Sequence, residues 1–227
     1  MGKKLVWDKS GERYYETGVK NGGLYVVDGE GSYGKGVAWN GLTKVTESPS
    51  GAEASPLYAD NIKYLNLMSA EEFGCTIEAY TYPDEFAACD GSAEISKGVA
   101  IGQQTRKTFG FCYRTECGND TLGTDYGYKI HIVYGATASP SSKDYQTIND
   151  NPEAITLSWE VKTTPVEVTK LIDGKKPKPT ATLIIDSTKV EAGKLKLIED
   201  KLYGTESTDP TLLTPDEVVE LIATPGK

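Results

Sequence analysis

Residues 36–91 read GVAWNGLTKVTESPSGAEASPLYADNIKYLNLMSAEEFGCTIEAYTYPDEFAACDG, and the way this stretch alternates decides the fold. Val37-Ala38-Trp39 runs into Asn40-Gly41, a pair that turns the chain tightly because both residues tolerate positive φ. Leu42 to Glu47 is expected to be extended, Ser48-Pro49-Ser50-Gly51 to turn, and Ala52 to Tyr58 to extend again. From Phe73 to Tyr82, Ile77, Ala79 and Thr81 alternate with Thr76, Glu78, Tyr80 and Tyr82, the period of two of a half-buried strand. Pro83, the acids Asp84 and Glu85 behind it, and Gly91 beyond predict a short helix from Pro83 to Cys89. The pattern is strand, long polar hairpin, strand, short helix.

The same region holds the charge. Residues 47–94 carry ten carboxylates (Glu47, Glu53, Asp60, Glu71, Glu72, Glu78, Asp84, Glu85, Asp90 and Glu94) against Lys63 alone. That segment accounts for −9, the formal net charge of the entire 227-residue chain. An acidic balance argues against wrapping nucleic acid, whose binding rests on Lys and Arg neutralising phosphates.

At this length folding hides roughly 70–75% of the unfolded surface, so a core forms without staples. No apolar run approaches the ~20 residues of a membrane span. Met1 to Trp7 is basic at its start and has no apolar segment before Asp8, so no signal peptide is expected and synthesis in a cytoplasm is. Cys75, Cys89, Cys112 and Cys117 show no C-x-x-C pair, and His131 is the only histidine, so buried free thiols are expected and a zinc site is not.

Outside the central stretch, residues 1–20 combine five bases (Lys3, Lys4, Lys9, Arg13 and Lys20) with Trp7 and Tyr14-Tyr15 and show no clear period. They are expected to form an N-terminal arm, packed either on its own domain or on a neighbour. Leu24 to Val27 reads as a short strand. Gly29, Gly31 and Gly34 match G-x-G-x-x-G, but turn and strand residues follow where a dinucleotide site needs a helix, so they read as loop. Val99 to Gly102 and Lys107 to Arg114 look like a strand pair, with Phe109, Phe111 and Tyr113 on one face. Gly118 to Gly127 and Ala138 to Pro152, the latter ending in an Asn149-Asp150-Asn151-Pro152 turn signal, read as polar loops. The Asn119-Asp120-Thr121 glycosylation match is read as coincidence.

Lys129 to Tyr134 is a strand with Ile130, Ile132 and Tyr134 on one face and His131 turned away. Ile155 to Val161 alternates cleanly, and Thr180 to Ile185 is a further strand beyond the Asp173-Gly174 break and a basic, proline-rich connection, Lys175 to Pro179. From Ser187 the pattern turns helical. Thr188 with Glu191 has capping-box spacing ahead of Leu195, Ile198 and Leu202, which share a face that ends at Gly204. Thr214-Pro215-Asp216-Glu217 opens a second helix after a linker, Thr205 to Leu213, that suggests a separable unit. The expected organisation is residues 1–20 as arm, 21–186 as β domain, and 187–227 as a short α-helical C-terminal extension.

No G-x-S-x-G elbow, H-E-x-x-H or P-loop is present, and His131 has no evident nucleophile beside it, so no enzyme, catalytic residue, cofactor or metal is expected. The alternative readings are structural. The runs WNGLTKVTESPSGAEASPLYADNIKYLNLMSAEEF (39–73), EAYTYPDEFAACDG (78–91) and IGQQTRKTFGFCYRT (101–115) resemble the major tail tube proteins of long-tailed, non-contractile bacteriophages and prophages, over about Val6 to Lys189. The resemblance implies a mainly β fold, an antiparallel β-sandwich or barrel with one short flanking helix. It also implies stacked hexameric rings around a tape-measure protein, with tail terminator and distal tail proteins as further partners. The place would be the virion tail, assembled in the host bacterial cytoplasm, with DNA passing through the lumen without specific binding and no membrane involved. Under it, residues 44–61 are the hairpin that reaches the next ring, and the N-terminal arm packs on a neighbour. Candidate interface residues are then Trp7, Arg13, Tyr14, Glu47, Ser48, Pro49, Glu53, Pro56, Tyr58, Asp60, Asp84 and Glu85. Another non-enzymatic virion component, such as a head-decoration protein, shares the acidic, all-β profile.

Overall fold

The computed structural model describes residues 4–148, 150, 152–172 and 174–223. Asn149, Asn151 and Asp173 of the two expected turns, and the first three residues of the basic N-terminus, lie outside them. The strands are β1 (Tyr14–Val26), β2 (Val37–Trp39), β3 (Leu42–Glu47), β4 (Ser50–Gly51), β5 (Ala54–Ala59), β6 (Ile62–Met68), β7 (Glu71–Glu72), β8 (Gly74–Ala79), β9 (Ala93–Ser96), β10 (Val99–Ile101), β11 (Phe109–Asn119), β12 (Gly123–Ala138), β13 (Leu157–Thr163) and β14 (Thr182–Asp186). A 3-10 turn covers Asp84–Ala88, and two helices close the chain, α1 (Ala192–Leu202) and α2 (Pro215–Ala223).

Eight strands make one antiparallel sheet in the order β2-β1-β11-β12-β13-β8-β3, with β14 also on β12. Its edges, β2 and β3, are consecutive in the chain and joined by Asn40-Gly41 alone. Six interstrand gaps of ~4.8 Å would put the edges of a flat sheet roughly 29 Å apart, whereas the link from Trp39 to Leu42 spans about 10 Å. The sheet therefore curls into a barrel-like layer, and Gly41, at φ 75°, makes the joint.

The curl gives the sheet two cores. Inside lie Leu24, Trp39, Ile77, Ala79, Phe109, Phe111, Val133, Trp159 and Val161, plugged by Phe86 from the 3-10 turn. Trp39 meets Phe86, Phe111 and Trp159 at ring-centre distances of 4.5, 5.5 and 5.5 Å. Its indole N–H donates to Thr81 O at 2.9 Å. Trp39→Ala should cost ~3–5 kcal/mol, the usual range for emptying an aromatic site; a loss under about 1 kcal/mol by urea unfolding would show that this ring is not central. On the outer face, Tyr25, Cys112, Ile130, Ile132 and Tyr134 pack under Leu195, Ile198, Leu202, Leu212, Leu213 and Val218. The middle strands are thus buried on both faces.

The mainly β, antiparallel fold with short flanking helices follows the reading from sequence, and several details differ. The arm over residues 1–20 is shorter, because Tyr14 begins a thirteen-residue strand that pairs with β11 from Tyr14↔Asn119 onward. Val99–Ile101 pairs with Ala93–Ser96 through the Lys97-Gly98 turn, not with Phe109 onward. Gly118 to Gly127 is mostly strand, with β11 and β12 paired up to Asn119↔Gly123. The Asn119 side chain is buried and committed to that turn: its amide donates to Gly11 O, and its oxygen accepts from the amides of Thr121 and Leu122.

At the C-terminus the apolar residues of the extension pack into the outer core. Thr188 does not cap α1; its hydroxyl donates to Asp186 Oδ1 and the helix starts at Ala192. The second capping box forms as expected. Glu217 Oε2 accepts from the Thr214 amide at 2.7 Å, and the Glu217 amide donates to Thr214 Oγ1 at 3.4 Å.

Candidate self-association surface

Residues 48–73 leave the barrel as a two-stranded ribbon. At its foot the Ser48 amide donates to Gly74 O at 2.8 Å, and Ser50 and Gly51 of β4 face Glu72 and Glu71 of β7. Gly51 has φ 80°, and a Cβ there would sit 2.3 Å from Ala70 O, so only glycine lets the two strands approach. β5 and β6 continue the ribbon, with Leu57 opposite Leu65 and Ser55 opposite Leu67. Asp60 and Asn61, both at positive φ (49° and 63°), close it as a type I′ turn. Thirteen residues from foot to tip, at ~3.3 Å each, give a contour on the order of 40 Å.

Every residue of β5 and β6 is exposed. The register, which slips between Leu57 and Tyr58, puts Leu57, Ile62, Leu65 and Leu67 on one face and Tyr58 and Met68 on the other, with Tyr64 at the bulge; Tyr58 and Met68 are 71% and 69% exposed. A two-stranded ribbon is marginal in water by itself, and contiguous exposed apolar surface marks an interaction site. Apolar side chains thus stand exposed on both faces of the ribbon.

The expected interface residues divide into three groups that the fold does not bring together. Ser48, Pro49, Glu53, Pro56, Tyr58 and Asp60 lie on the ribbon, with Glu47 at its root. The ribbon extends to residue 73, well past the expected end at residue 61. Arg13 and Tyr14 stand by the β11–β12 turn, and Trp7 lies in the segment that leads to them. There Asp120 accepts from the amides of Gly11 and Arg13, Arg13 donates to Asp8 O, and Tyr14 lies 5.2 Å from Tyr126 ring to ring. Trp7 is 73% exposed. Asp84 and Glu85 are exposed on the 3-10 turn over the inner core.

Sequence reading missed β6 and its apolar side chains, although Asp60-Asn61 between two extended runs is a hairpin signal. It also missed exposed Ile95, Val99 and Ile101 on the β9–β10 hairpin, Tyr145 and Ile148 in the long connection, and Leu171 and Ile172 before β14. The acidic surplus is only partly a surface property. Asp90 is nearly buried against Lys143 (2.6 Å) and Arg106 (3.6 Å), Glu78 pairs with Lys44, and Glu94 accepts from the Gly98 amide. Glu53, Asp60, Glu71 and Glu72 remain exposed along the ribbon.

Where the ribbon leaves, the inside of the barrel turns polar. Tyr113 donates to Glu47 Oε1 at 2.8 Å and stacks on His131 (4.6 Å, 6°). His131 lies between Glu16 and Glu47, its two nitrogens 3.5 and 3.6 Å from their carboxylates. Burial lowers the His131 pKa, and the two glutamates offset only part of that. The unfolded chain therefore binds a proton at higher pH than the folded one. This group's contribution to stability is complete above ~6.5 and falls as pH drops toward the lowered folded value. His131→Gln should flatten that part of the urea-midpoint profile; equal slopes in both proteins would refute the assignment.

Burial also pushes the Cys75 and Cys89 thiols up to about 12 and Cys112 to about 11, which leaves all three inert packing groups at neutral pH. Among the described residues no group of three or more His, Cys, Asp or Glu is placed to hold a metal ion, and no helix is long and apolar enough to cross a membrane. Compared with known proteins, the chain matches no family model and no curated relative.

Proposed function

We propose that this chain is a structural subunit that assembles with copies of itself, in the manner that its resemblance to phage tail tube proteins implies: hexameric rings, stacked into a hollow non-contractile tube through which DNA leaves a virion. The observation that carries this reading is the ribbon over residues 48–73, whose two apolar faces lie open along β5 and β6. An arm with a contour on the order of 40 Å serves a monomer poorly and serves a subunit that must reach a neighbour well. Further exposed apolar side chains at the N-terminal segment, on β9–β10 and in the connection after β12 supply additional contacts around such a body. In this reading the tape-measure, terminator and distal tail proteins are the other partners, and no reaction is catalysed.

Negative-stain imaging of the purified chain tests the class directly. Rings about six subunits round, or tubes, are expected; a monomer at every concentration, or a single closed particle with no stacking, would overturn the reading. A structure of the assembled tube carries a second expectation. Its bore should present more Asp and Glu than Lys and Arg, because like charge repels phosphate over the ~8–10 Å screening length while a basic bore would hold DNA by counterion release. A net-basic lining would refute it.

A further inference from the structure

The polar cluster where the ribbon leaves the barrel has a property that assembly does not require. Thr115 Oγ1 donates its proton to Glu16, so toward His131 Nε2, 2.9 Å away, it can only accept. Nε2 therefore carries the hydrogen, and Nδ1 is left with a bare lone pair. Nδ1 is buried, has no hydrogen-bond partner among the described residues, and lies 3.6 Å from Glu47 Oε1, an acceptor facing an acceptor. Glu47 is the last residue of β3, immediately before the ribbon, and Tyr113 holds its Oε1.

We propose that His131 is a proton-operated latch on the root of the ribbon: a proton arriving at Nδ1 turns this opposed pair into an N–H donor bonded to the Glu47 carboxylate. Strand β12, which carries His131, is then tied to the end of β3, while Nε2–H keeps its bond to Thr115 and its place beside Glu16 on β1. The proton comes from solvent and no covalent bond changes.

The groups facing the ring come from four further strands and from β12 itself. They are Glu16 on β1, Glu47 on β3, Cys75 on β8 beside Glu47, Tyr113 and Thr115 on β11, and Lys129, which pairs with Glu16, on β12. Glu16 is already held by Lys129 and Thr115, whereas Glu47 meets no cation among these groups, so the new charge is drawn toward Glu47. Burial opposes the proton, so the latch closes in acid and stands open at neutral pH. The latch needs nothing from what the ribbon docks onto, so it stands or falls apart from the assembly reading.

The chain has one histidine, which makes the test unambiguous. Nitrogen-15 and proton spectra of His131 in the whole protein should show the neutral Nε2–H tautomer at pH 7 and protonation with a midpoint below 6.5. In Glu47→Gln, whose amide oxygen can still accept from Tyr113, the midpoint should fall further by roughly half a unit to one unit, the pull of one nearby carboxylate. The protection factor of the Ser48 amide, the first hydrogen bond of the ribbon, should rise on acidification in the native protein and stay flat in the variant. An Nδ1–H tautomer at neutral pH, read from the native protein alone, would overturn the proposal even if the variant failed to fold. A midpoint indifferent to Glu47→Gln, or Ser48 protection that ignores pH, would overturn it equally.

Discussion

Ending the chain after Gly204 should lower the melting temperature by more than about 10 °C or prevent folding. Leu212, Leu213 and Val218 are all at least nine-tenths buried in the outer core, and exposing each costs ~1.5–3 kcal/mol. The cut also removes the Leu213 carbonyl that accepts from the buried Tyr134 hydroxyl at 2.8 Å, an orphaned group worth ~1–3 kcal/mol. Backbone ties go with them: Gly36 N–H to Pro210 O at 2.9 Å and Thr211 N–H to Lys201 O at 2.8 Å. These losses sum to a large part of the ~5–15 kcal/mol that holds a domain together. At ~2–4 °C per kcal/mol for a chain of this size, a shift well beyond 10 °C follows. If the shortened chain cannot be recovered, Leu213→Ala in the full chain should still cost ~2–5 kcal/mol. A truncated protein that melts within a few degrees of the full chain would show that the terminal helix merely rests on the surface.

That outcome reverses what the sequence suggests there, and the reason is physical. The Thr205–Leu213 connection is polar enough to read as a tether, and nothing local reveals that Leu212 and Leu213 join the outer core with Ile132 and Tyr134, some eighty residues earlier. Where one face is wet the pattern was legible: Cys75, Ile77 and Ala79 alternate in β8, Trp159 and Val161 in β13, and the helix face of Leu195, Ile198 and Leu202 is buried as spaced. Where both faces are covered it was not. Gly118 and Gly127 look like loop residues, but a Cβ at Gly118 would meet the Tyr15 ring at 2.3 Å, and one at Gly127 would meet Thr188 at 2.5 Å. They are strand positions kept small by what packs on them. The N-terminal half of β1 hides for another reason: Gly18 and Asn21 sit at positive φ, the register slips twice between Thr17 and Gly23, and the alternation is lost.

The same logic explains the ribbon, and it leads to the largest effect expected for association. Ile62 to Met68 carries apolar side chains on both faces, so no period of two survives to announce a strand. Removing residues 52–70 and joining Gly51 to Glu71 through Asn-Gly keeps the β4–β7 foot and the Ser48–Gly74 hydrogen bond. None of the deleted residues belongs to either core, so the shortened protein should melt within a few degrees of the native one. A cut confined to residues 48–54 would be a poorer test, because it takes one strand of the foot and leaves β7 unpaired. Association should respond very differently. Each leucine buried by a neighbour contributes ~1.5–3 kcal/mol, and each 1.4 kcal/mol is tenfold in affinity. Leu65→Ser with Leu67→Ser should therefore weaken assembly by at least about a hundredfold, and the full deletion should leave monomers or single rings at any practical concentration. Tyr58→Ser with Met68→Ser probes the opposite face separately; loss of assembly in both pairs means that the ribbon is sandwiched, and loss in one alone identifies the docked side. Sedimentation across a concentration series reads each case, and a deletion protein that still builds long tubes would remove the ribbon from the assembly altogether.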